Sequence, residues 1–247
     1  GFIGSNLARQ LLKIGERVVL FDIAPNYRLV DDLKDRVHIA RGDLSVWADV
    51  LDVVKRHAIK EVFHLGAVLS AAAEAGPMTT FGVNFLGTVN VLEAARLFDV
   101  DKVLYSSSVA SYGPGLPEPV VENVHQEPRT IYGISKVFSE LMGLYYWHRY
   151  GVDFRALRFP AVVGAGRGAG GASSYATLII QRAASARPYE IDVDEDARIP
   201  ILYSKDAVNA LLLVRKAEDP KSRIYNIAGI SPTALEIVSE VKKRIPD

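Results

Sequence analysis

The sequence predicts an α/β protein with a doubly wound parallel sheet, and three observations carry this prediction. Short runs rich in β-branched and aromatic residues alternate with amphipathic stretches of helical period over the first two thirds of the chain. Two closely spaced glycines stand directly before the first helical stretch. The 247 residues suffice for one large core, or for one core with a smaller lobe. Strands and helices that alternate in this way form parallel sheets with helices on both faces.

The elements follow one another in a regular order up to Pro160. Strands are expected at 17–21, 36–40, 61–65, 102–105 and 153–158, and helices at 5–14, 47–57, 81–98 and 132–150. A glycine-rich run at 164–171 then breaks the rhythm and is expected to leave the sheet as a mobile loop. Beyond it we expect helices at 175–186, 204–217 and 231–244, and strands at 199–203 and 223–227.

Composition excludes several classes of protein. The 29 basic and 29 acidic residues cancel, which removes the general attraction to phosphates on which most nucleic-acid binders rely. There is no cysteine, so disulfides, thiolate metal sites and cysteine nucleophiles are excluded. Apolar runs are too short for a membrane span, which requires about 20 residues. We therefore expect a cytoplasmic protein that binds neither nucleic acid nor membrane.

The opening sequence, GFIGSNLARQLL, matches the second half of a G-x-x-G-x-x-G phosphate-binding turn. Such glycines allow a tight turn and close approach to a pyrophosphate at a helix N-terminus. Two incidental glycines at the start of a helix are the alternative. The strand that would precede the turn is absent, so we expect an interrupted sheet, and a natural protein with an apolar strand and Gly-x-x before Gly1. We expect residues 1–247 alone to be poorly stable and to bind NAD weakly.

Asp22 ends the strand that follows, 18 residues after Gly4. A carboxylate there accepts the ribose hydroxyls of NAD and repels the 2′-phosphate of NADP. The alternative is that Asp22 caps the next segment. Asp43 and Leu44 follow the next strand, where an adenine would be contacted.

The strongest chemical signal is a tyrosine four residues before a lysine, at Tyr132 and Lys136. This spacing puts both side chains on one helix face, and a nearby ammonium stabilises a phenolate. Ser106, Ser107 and Ser108 end a strand at the sheet edge where ligands bind in such folds. Solvated side chains and turn-forming serines are the alternatives.

Together these motifs resemble the extended short-chain dehydrogenase/reductase family, also called the NAD-dependent epimerase/dehydratase family. The resemblance covers nearly the whole chain and includes His64-Leu65-Gly66-Ala67, Asn84-x-x-Gly87-Thr88, Tyr112-Gly113 and Arg158-Phe159-Pro160. It implies that Tyr132 is the acid/base, that Lys136 lowers its pKa and holds the nicotinamide ribose, and that Ser108 binds the reacting hydroxyl. The implied fold is Rossmann-type, with an NAD-binding domain at 1–160 and a small C-terminal substrate-binding lobe at 161–247.

The resemblance also implies a set of cofactor-binding residues. They are Gly1, Phe2, Ile3, Gly4, Asp22, Ile23, Asp43, Leu44, Leu65, Gly66, Ala67, Asn84, Ser106, Tyr132, Lys136, Phe159 and Pro160.

One departure from the family pattern narrows the expected substrate. Nucleotide-sugar enzymes of the family usually carry asparagine where this chain has Pro160. Proline here is more similar to the branch that contains L-threonine 3-dehydrogenase. The substrate-site candidates are Ser70, Ser108, Ser173, Ser174 and, as a carboxylate partner, Arg198.

The resulting hypothesis is NAD-dependent hydride transfer from a secondary alcohol of a small hydroxy or amino acid. A nucleotide-sugar 4-epimerase or dehydratase with tightly bound NAD is the first alternative, and a non-catalytic cofactor-binding protein is the second. The five histidines and the acidic run 192–196 lack metal-ligand spacing, so no metal is expected. The family suggests a homodimer formed through helices 81–98 and 132–150.

Overall fold

The computed structural model describes residues 1–25, 27–168 and 173–245. Its helices are α1 Phe2–Lys13, α2 Trp47–Arg56, α3 Ser70–Ala75, α4 Pro77–Thr80, α5 Gly87–Leu97, α6 Ile131–Tyr150, α7 Ser174–Ala184, α8 Ser204–Lys216 and α9 Ala234–Arg244. Its strands are β1 Val19–Asp22, β2 His38–Arg41, β3 Glu61–His64, β4 Lys102–Ser108, β5 Phe154–Phe159, β6 Ala161–Val163, β7 Ile201–Tyr203 and β8 Ile224–Asn226. None of these helices is both long and apolar enough to cross a membrane.

The strands pair in parallel, as the alternating sequence pattern predicts. β3, β4, β5 and β8 form a four-stranded sheet in the order β3-β4-β5-β8. β1 pairs with β2, and β6 pairs with β7. The helix predicted at 81–98 begins differently, because Phe81–Leu86 forms a π-helical segment between α4 and α5. The predicted glycine-rich loop lies partly outside the described residues.

The sheet is interrupted between β1 and β3, and an interrupted sheet is what the sequence predicts. No hydrogen-bonded ladder joins these two strands in the described parts of the chain. Both strands instead line one large cavity. The carboxyl ends of β1, β3 and β4 therefore open onto a shared space, which is where a parallel sheet offers a ligand site.

Helices cover both faces of the sheet, which confirms the doubly wound α/β fold. One core cluster packs α2, α5 and α6 against β4 and β5, and contains Leu92, Val103 and Phe154. A second cluster places α1 and α8 on the other face, through Leu7 and Leu211. A third cluster draws its buried residues from β6, α7, β7 and α9.

Helix α6 lies unusually close to its neighbours because two glycines face them. A Cβ at Gly133 would lie 2.2 Å from the Ala110 carbonyl oxygen, and one at Gly143 would lie 2.3 Å from the Phe154 ring. The Thr130 hydroxyl caps the helix by accepting a 3.0 Å hydrogen bond from the Gly133 nitrogen. The first turn of α6 is thus fixed against the segment that follows β4.

A buried ion pair joins α6 to β5. The guanidinium of Arg158 contacts both carboxylate oxygens of Glu140, at 2.7 and 2.9 Å, and the two side chains are 4% and 1% exposed. Ser107 and Gln126 also donate to this carboxylate. Arg158 further donates to the Tyr112 hydroxyl at 2.5 Å. The network fixes α6, β4, β5 and the segment after β4 relative to one another.

A second buried polar chain joins β3 to α5 and α6. His64 lies 3.1 Å from the Thr88 hydroxyl, which lies 3.0 Å from the Ser139 hydroxyl. Burial lowers the pKa of His64 to about 3, so its imidazole is neutral at physiological pH. The Thr88 hydroxyl also bonds to the Asn84 carbonyl oxygen at 2.8 Å. All these polar groups have partners, which allows them to lie in the core.

Candidate active site

A cavity of about 1440 Å³ opens at the carboxyl ends of β1, β3 and β4. It continues down between β1 and β3 toward Arg17 and Arg215. Among its lining residues are most of those predicted from the sequence: Gly1, Phe2, Ile3, Gly4, Asp22, Ile23, Asp43, Leu44, Leu65, Gly66, Ala67, Ser70, Ser106, Ser108, Tyr132, Lys136, Phe159, Pro160 and Ser173. The fold thus brings residues from along much of the chain to one edge of the sheet.

The turn before α1 and the end of β1 are in contact at one end of this cavity. The Gly1 nitrogen lies 3.6 Å from Asp22 Oδ2. Asp22 Oδ1 accepts a 3.0 Å hydrogen bond from the Ala24 nitrogen. The capping alternative for Asp22 is therefore also realised, while its second oxygen faces the start of α1.

Glycines leave the space at the start of α1 free. A Cβ at Gly1 would meet no other atom within 4 Å, and one at Gly4 would meet only the Leu65 side chain, at 3.8 Å. The first N–H groups of α1 precede its intrahelical ladder and are donors for phosphate. This open cradle, the Asp22 carboxylate and the Lys136 ammonium suit the phosphates and riboses of a dinucleotide, so the residues fit NAD.

Asp43 and Asn84 hold backbone segments near the site, and only Asp43 lines the cavity. Asp43 Oδ1 accepts from the nitrogen and hydroxyl of Ser45, both at 2.8 Å, which fixes the turn before α2. Asn84 is buried and bonds to both the nitrogen and the oxygen of Val68, at 2.7 and 3.0 Å. It also donates to the Ser135 hydroxyl. Asn84 does not line the cavity, where the sequence predicted a direct cofactor contact, and its bonds hold the segment after β3 instead.

The predicted catalytic side chains converge at the end of β4. Ser108 is paired in register with Phe159 at the carboxyl edge of the sheet. Lys136 donates to the Ser106 carbonyl oxygen at 2.7 Å, and its ammonium lies 5.3 Å from the centroid of the Tyr132 ring. The four-residue spacing on α6 puts the phenol and the ammonium on one face, as the sequence predicts.

Burial dominates the electrostatics of this group. It lowers the pKa of Lys136 to about 7, and the nearby Glu140 carboxylate opposes that shift. Burial raises the pKa of Tyr132, while a hydrogen bond with Ser108 and the positive charge of Arg167 act in the opposite direction. The groups that oppose burial at the Tyr132 phenol are Ser108 and Arg167, and the effect expected of Lys136 on this pKa stays a prediction.

The predicted substrate residues do not all reach the site. Ser70 and Ser173 line the cavity, whereas Ser174 begins α7 and does not. Arg198 is 63% exposed, donates to the Ser231 carbonyl oxygen at 2.9 Å and lies 3.8 Å from the Glu236 carboxylate. These partners, before and within α9, hold Arg198 away from the cavity that the other candidates line, where the sequence predicted that it binds a substrate carboxylate.

Sequence reasoning missed Arg167, which lines the cavity beside Ser173. The residue stands inside the glycine-rich run, whose composition predicts a loop and hides the one guanidinium within it. The signal that could have identified Arg167 is its position as a single cation among five glycines, shortly after Pro160 at the edge of the sheet.

The sequence profile of the NAD dependent epimerase/dehydratase family matches residues 1–228, and the chain belongs to that family. This match confirms the predicted family and the predicted cofactor, NAD. The chain is 36% identical to the mitochondrial L-threonine 3-dehydrogenase of Bos taurus over 232 residues, which are 90% of this chain. It spans 62% of the length of that relative.

Solved structures show the same fold over the whole chain. A GalE-like L-threonine dehydrogenase from Cupriavidus necator in its holo form has a TM-score of 0.93 and 32% identity, covering 100% of this chain and 80% of that one. A UDP-glucose 4-epimerase from Thermotoga maritima has a TM-score of 0.91 and 24% identity, with the same coverage. The second likeness shows the fold alone.

Burial of the Lys136 ammonium lowers the free energy of unfolding of the protein. Replacing Lys136 with Met removes this buried charge, so we expect the free energy of unfolding of the cofactor-free protein to rise by about 1–3 kcal/mol. The ordinary pKa of 10.5 falls to about 7 in the folded protein. The gain should therefore be complete below pH 7 and fade as pH rises from 7 to 10.5.

Urea unfolding at pH 6 and pH 9.5 measures this effect, with Lys55→Met on the exposed face of α2 as the control. A Lys136→Met protein that is less stable than wild type at pH 6 would contradict the argument. The same variant should bind NAD more weakly, because the resemblance to the family assigns the Lys136 ammonium a contact with the nicotinamide ribose.

Proposed function

We propose that the protein oxidises the secondary alcohol of a small hydroxy or amino acid, such as L-threonine, with NAD. The observation that carries this proposal is the convergence of Ser108, Tyr132 and Lys136 at the rim of a cavity suited to a dinucleotide. The relatives named as L-threonine 3-dehydrogenases support the choice of a small substrate. We further propose that residues 1–160 bind NAD and that residues 161–247 help to bind substrate.

The chain's own residues account for the proton and the orientation of the substrate. The Ser108 hydroxyl holds the substrate oxygen next to the Tyr132 phenol. Tyr132, as phenolate, takes the hydroxyl proton as the carbonyl forms. Lys136, as ammonium, favours the charged form of the phenol and binds a ribose hydroxyl. NAD, when bound, accepts the hydride that leaves the substrate carbon.

A nucleotide-sugar 4-epimerase is the second candidate that this chemistry allows. It would use the same three residues but would return the hydride to the opposite face of the ketone. Release of NADH during turnover with a small substrate distinguishes the dehydrogenase from the epimerase. Pro160, which stands where nucleotide-sugar enzymes of the family usually carry asparagine, and the glycine-rich run that follows it in the sequence favour the dehydrogenase.

Removing the Tyr132 hydroxyl tests the proposed mechanism. Tyr132→Phe keeps the ring but removes the proton acceptor, so we expect kcat to fall by about 10²- to 10⁴-fold with little change in NAD affinity. Because burial raises the pKa of Tyr132, the wild-type rate of oxidation should increase with pH into the alkaline range. NADH absorbance with L-threonine and a panel of hydroxy acids measures both effects.

Tyr203→Phe, at an exposed position at the end of β7, is the control and should retain wild-type turnover. If Tyr132→Phe also retains wild-type turnover, Tyr132 is not the acid/base. If no hydroxy or amino acid on the panel yields NADH while a nucleotide sugar is epimerised, the second candidate replaces the first.

We also propose that the protein is a homodimer in the cytoplasm. Exposed apolar side chains form a continuous strip on α6, at Ile134, Leu141 and Tyr145, which lie within about 40° of one another around the helix. Phe138 on the same face contacts Phe85 of the π-helical segment, with ring centroids 5.0 Å apart. In a two-fold symmetric dimer, the same surface of a second copy would cover the strip on α6 and the adjoining π-helical segment.

The dimer proposal predicts a mass of twice 27.0 kDa at micromolar concentration. Leu141→Glu places a charge in the strip, at a side chain 61% exposed in the single chain, and should yield the monomer. Leu213→Glu, on the exposed side of α8, should leave the mass unchanged. Light scattering measures all three proteins, and a 27.0 kDa wild type would reject the dimer.

A further inference from the structure

Arg167 is held in a fixed position at the wall of the cavity. It follows a turn in which Gly166 has a φ of 89°, and its nitrogen lies 3.3 Å from the Gly164 carbonyl oxygen. Its guanidinium donates to the Val162 carbonyl oxygen and, at 3.0 Å, to the Ser173 hydroxyl. Gln181 of α7 donates to the Arg167 carbonyl oxygen at 2.8 Å. Contacts at both ends of the residue therefore orient it toward the site.

This guanidinium has donors to spare and no anionic partner in the described parts of the chain. Arginine has five N–H donors, and the two contacts above leave three. The group with which Arg167 interacts electrostatically is the Tyr132 phenol, and burial itself lowers the pKa of Arg167. A partly desolvated cation without a carboxylate is unfavourable unless a ligand supplies one.

The cavity places this cation next to the reacting groups. Arg167, Ser108 and Tyr132 line the same cavity as Ser70 and Ser173, and Arg167 interacts electrostatically with the Tyr132 phenol. A substrate whose hydroxyl lies between Ser108 and Tyr132 can therefore extend an anionic group toward Arg167. Planar guanidinium matches the geometry of a carboxylate, with which it forms paired hydrogen bonds.

We propose that Arg167 binds the carboxylate of the substrate and so selects alcohols that carry a carboxylate over neutral ones. The assignment rests on the proposed dehydrogenase function and replaces the role predicted for Arg198. A different role for Arg167 would be to favour the Tyr132 phenolate without touching the substrate. The two roles differ, because the second would affect charged and neutral substrates equally.

The test compares a carboxylate with its carboxamide. Rates of NADH formation are measured for L-threonine and L-threoninamide, and for 3-hydroxybutyrate and its amide, in wild type, Arg167→Met, Arg167→Lys and the control Arg182→Met, at an exposed position on α7. We expect Arg167→Met to lower kcat/KM for the carboxylates by about 10- to 100-fold, mainly through KM, and to change the amides less than about threefold. Arg167→Lys should restore part of the preference, and Arg182→Met should match wild type.

Equal losses for acid and amide, with a shifted pH profile, would assign Arg167 to Tyr132 and overturn the proposal. Calorimetric titration of the same acids into NADH-saturated protein gives a readout that does not require turnover. Binding that Arg167→Met weakens at least tenfold supports the assignment even if no acid is oxidised, in which case the dehydrogenase proposal fails separately. No binding to wild type, or equal binding to the variant, overturns the assignment.

Discussion

The arrangement of the site depends on the buried ion pair between Glu140 and Arg158. Tyr132, Lys136 and Glu140 are spaced by four residues along α6, so they share one face of that helix. Fixing Glu140 against β5 therefore also fixes the rotation and height of the phenol and the ammonium above β4. The glycines at 133 and 143 allow the helix to lie close enough for this to happen. A buried pair is a weak source of stability but a strong constraint on geometry, because a shifted register would leave both charges buried and unpaired.

Electrostatics and position are linked in this arrangement. Glu140 is close enough to Lys136 to oppose the loss of its proton, while burial favours that loss. On the other side of the phenol, Ser108 and Arg167 oppose the effect of burial on Tyr132. The pKa of Lys136 is thus brought near neutral pH, at about 7, while that of Tyr132 is raised from its ordinary value. Groups of this kind are typical of sites that transfer protons.

Much of this site was predictable, because its parts are local motifs on regular elements. The four-residue spacing of Tyr132 and Lys136 and the position of Ser108 at a strand end can be read directly, and the parallel sheet brings strand ends together. Periodicity likewise predicted most helices and strands to within a few residues at most ends, but it missed the short elements α3, α4 and β6. The π-helical segment Phe81–Leu86, where the sequence predicts the start of an α-helix, was not predictable. The apolar residues follow the same pattern in π and α turns.

The residues whose positions the sequence did not predict are placed by contacts between distant parts of the chain. Arg198 turns outward because an isolated bridge to Thr233 and the Glu236 carboxylate hold it there, and neither contact has a local signature. Asn84 is a good candidate for cofactor contact by motif, yet its amide matches the backbone of Val68 sixteen residues away. Arg167 lies in a glycine-rich run with no periodicity, so only the folded chain shows that it faces Tyr132.

A double-mutant cycle on Glu140 and Arg158 tests most directly whether this pair sets the position of α6. The measured quantity is the free energy of unfolding of Glu140→Leu, Arg158→Met and the double variant, by urea denaturation. We expect each single change to cost about 3–5 kcal/mol, since it leaves a buried charge unpaired, and the double change to cost less than either. Single costs below about 1 kcal/mol that simply add in the double variant would contradict the account.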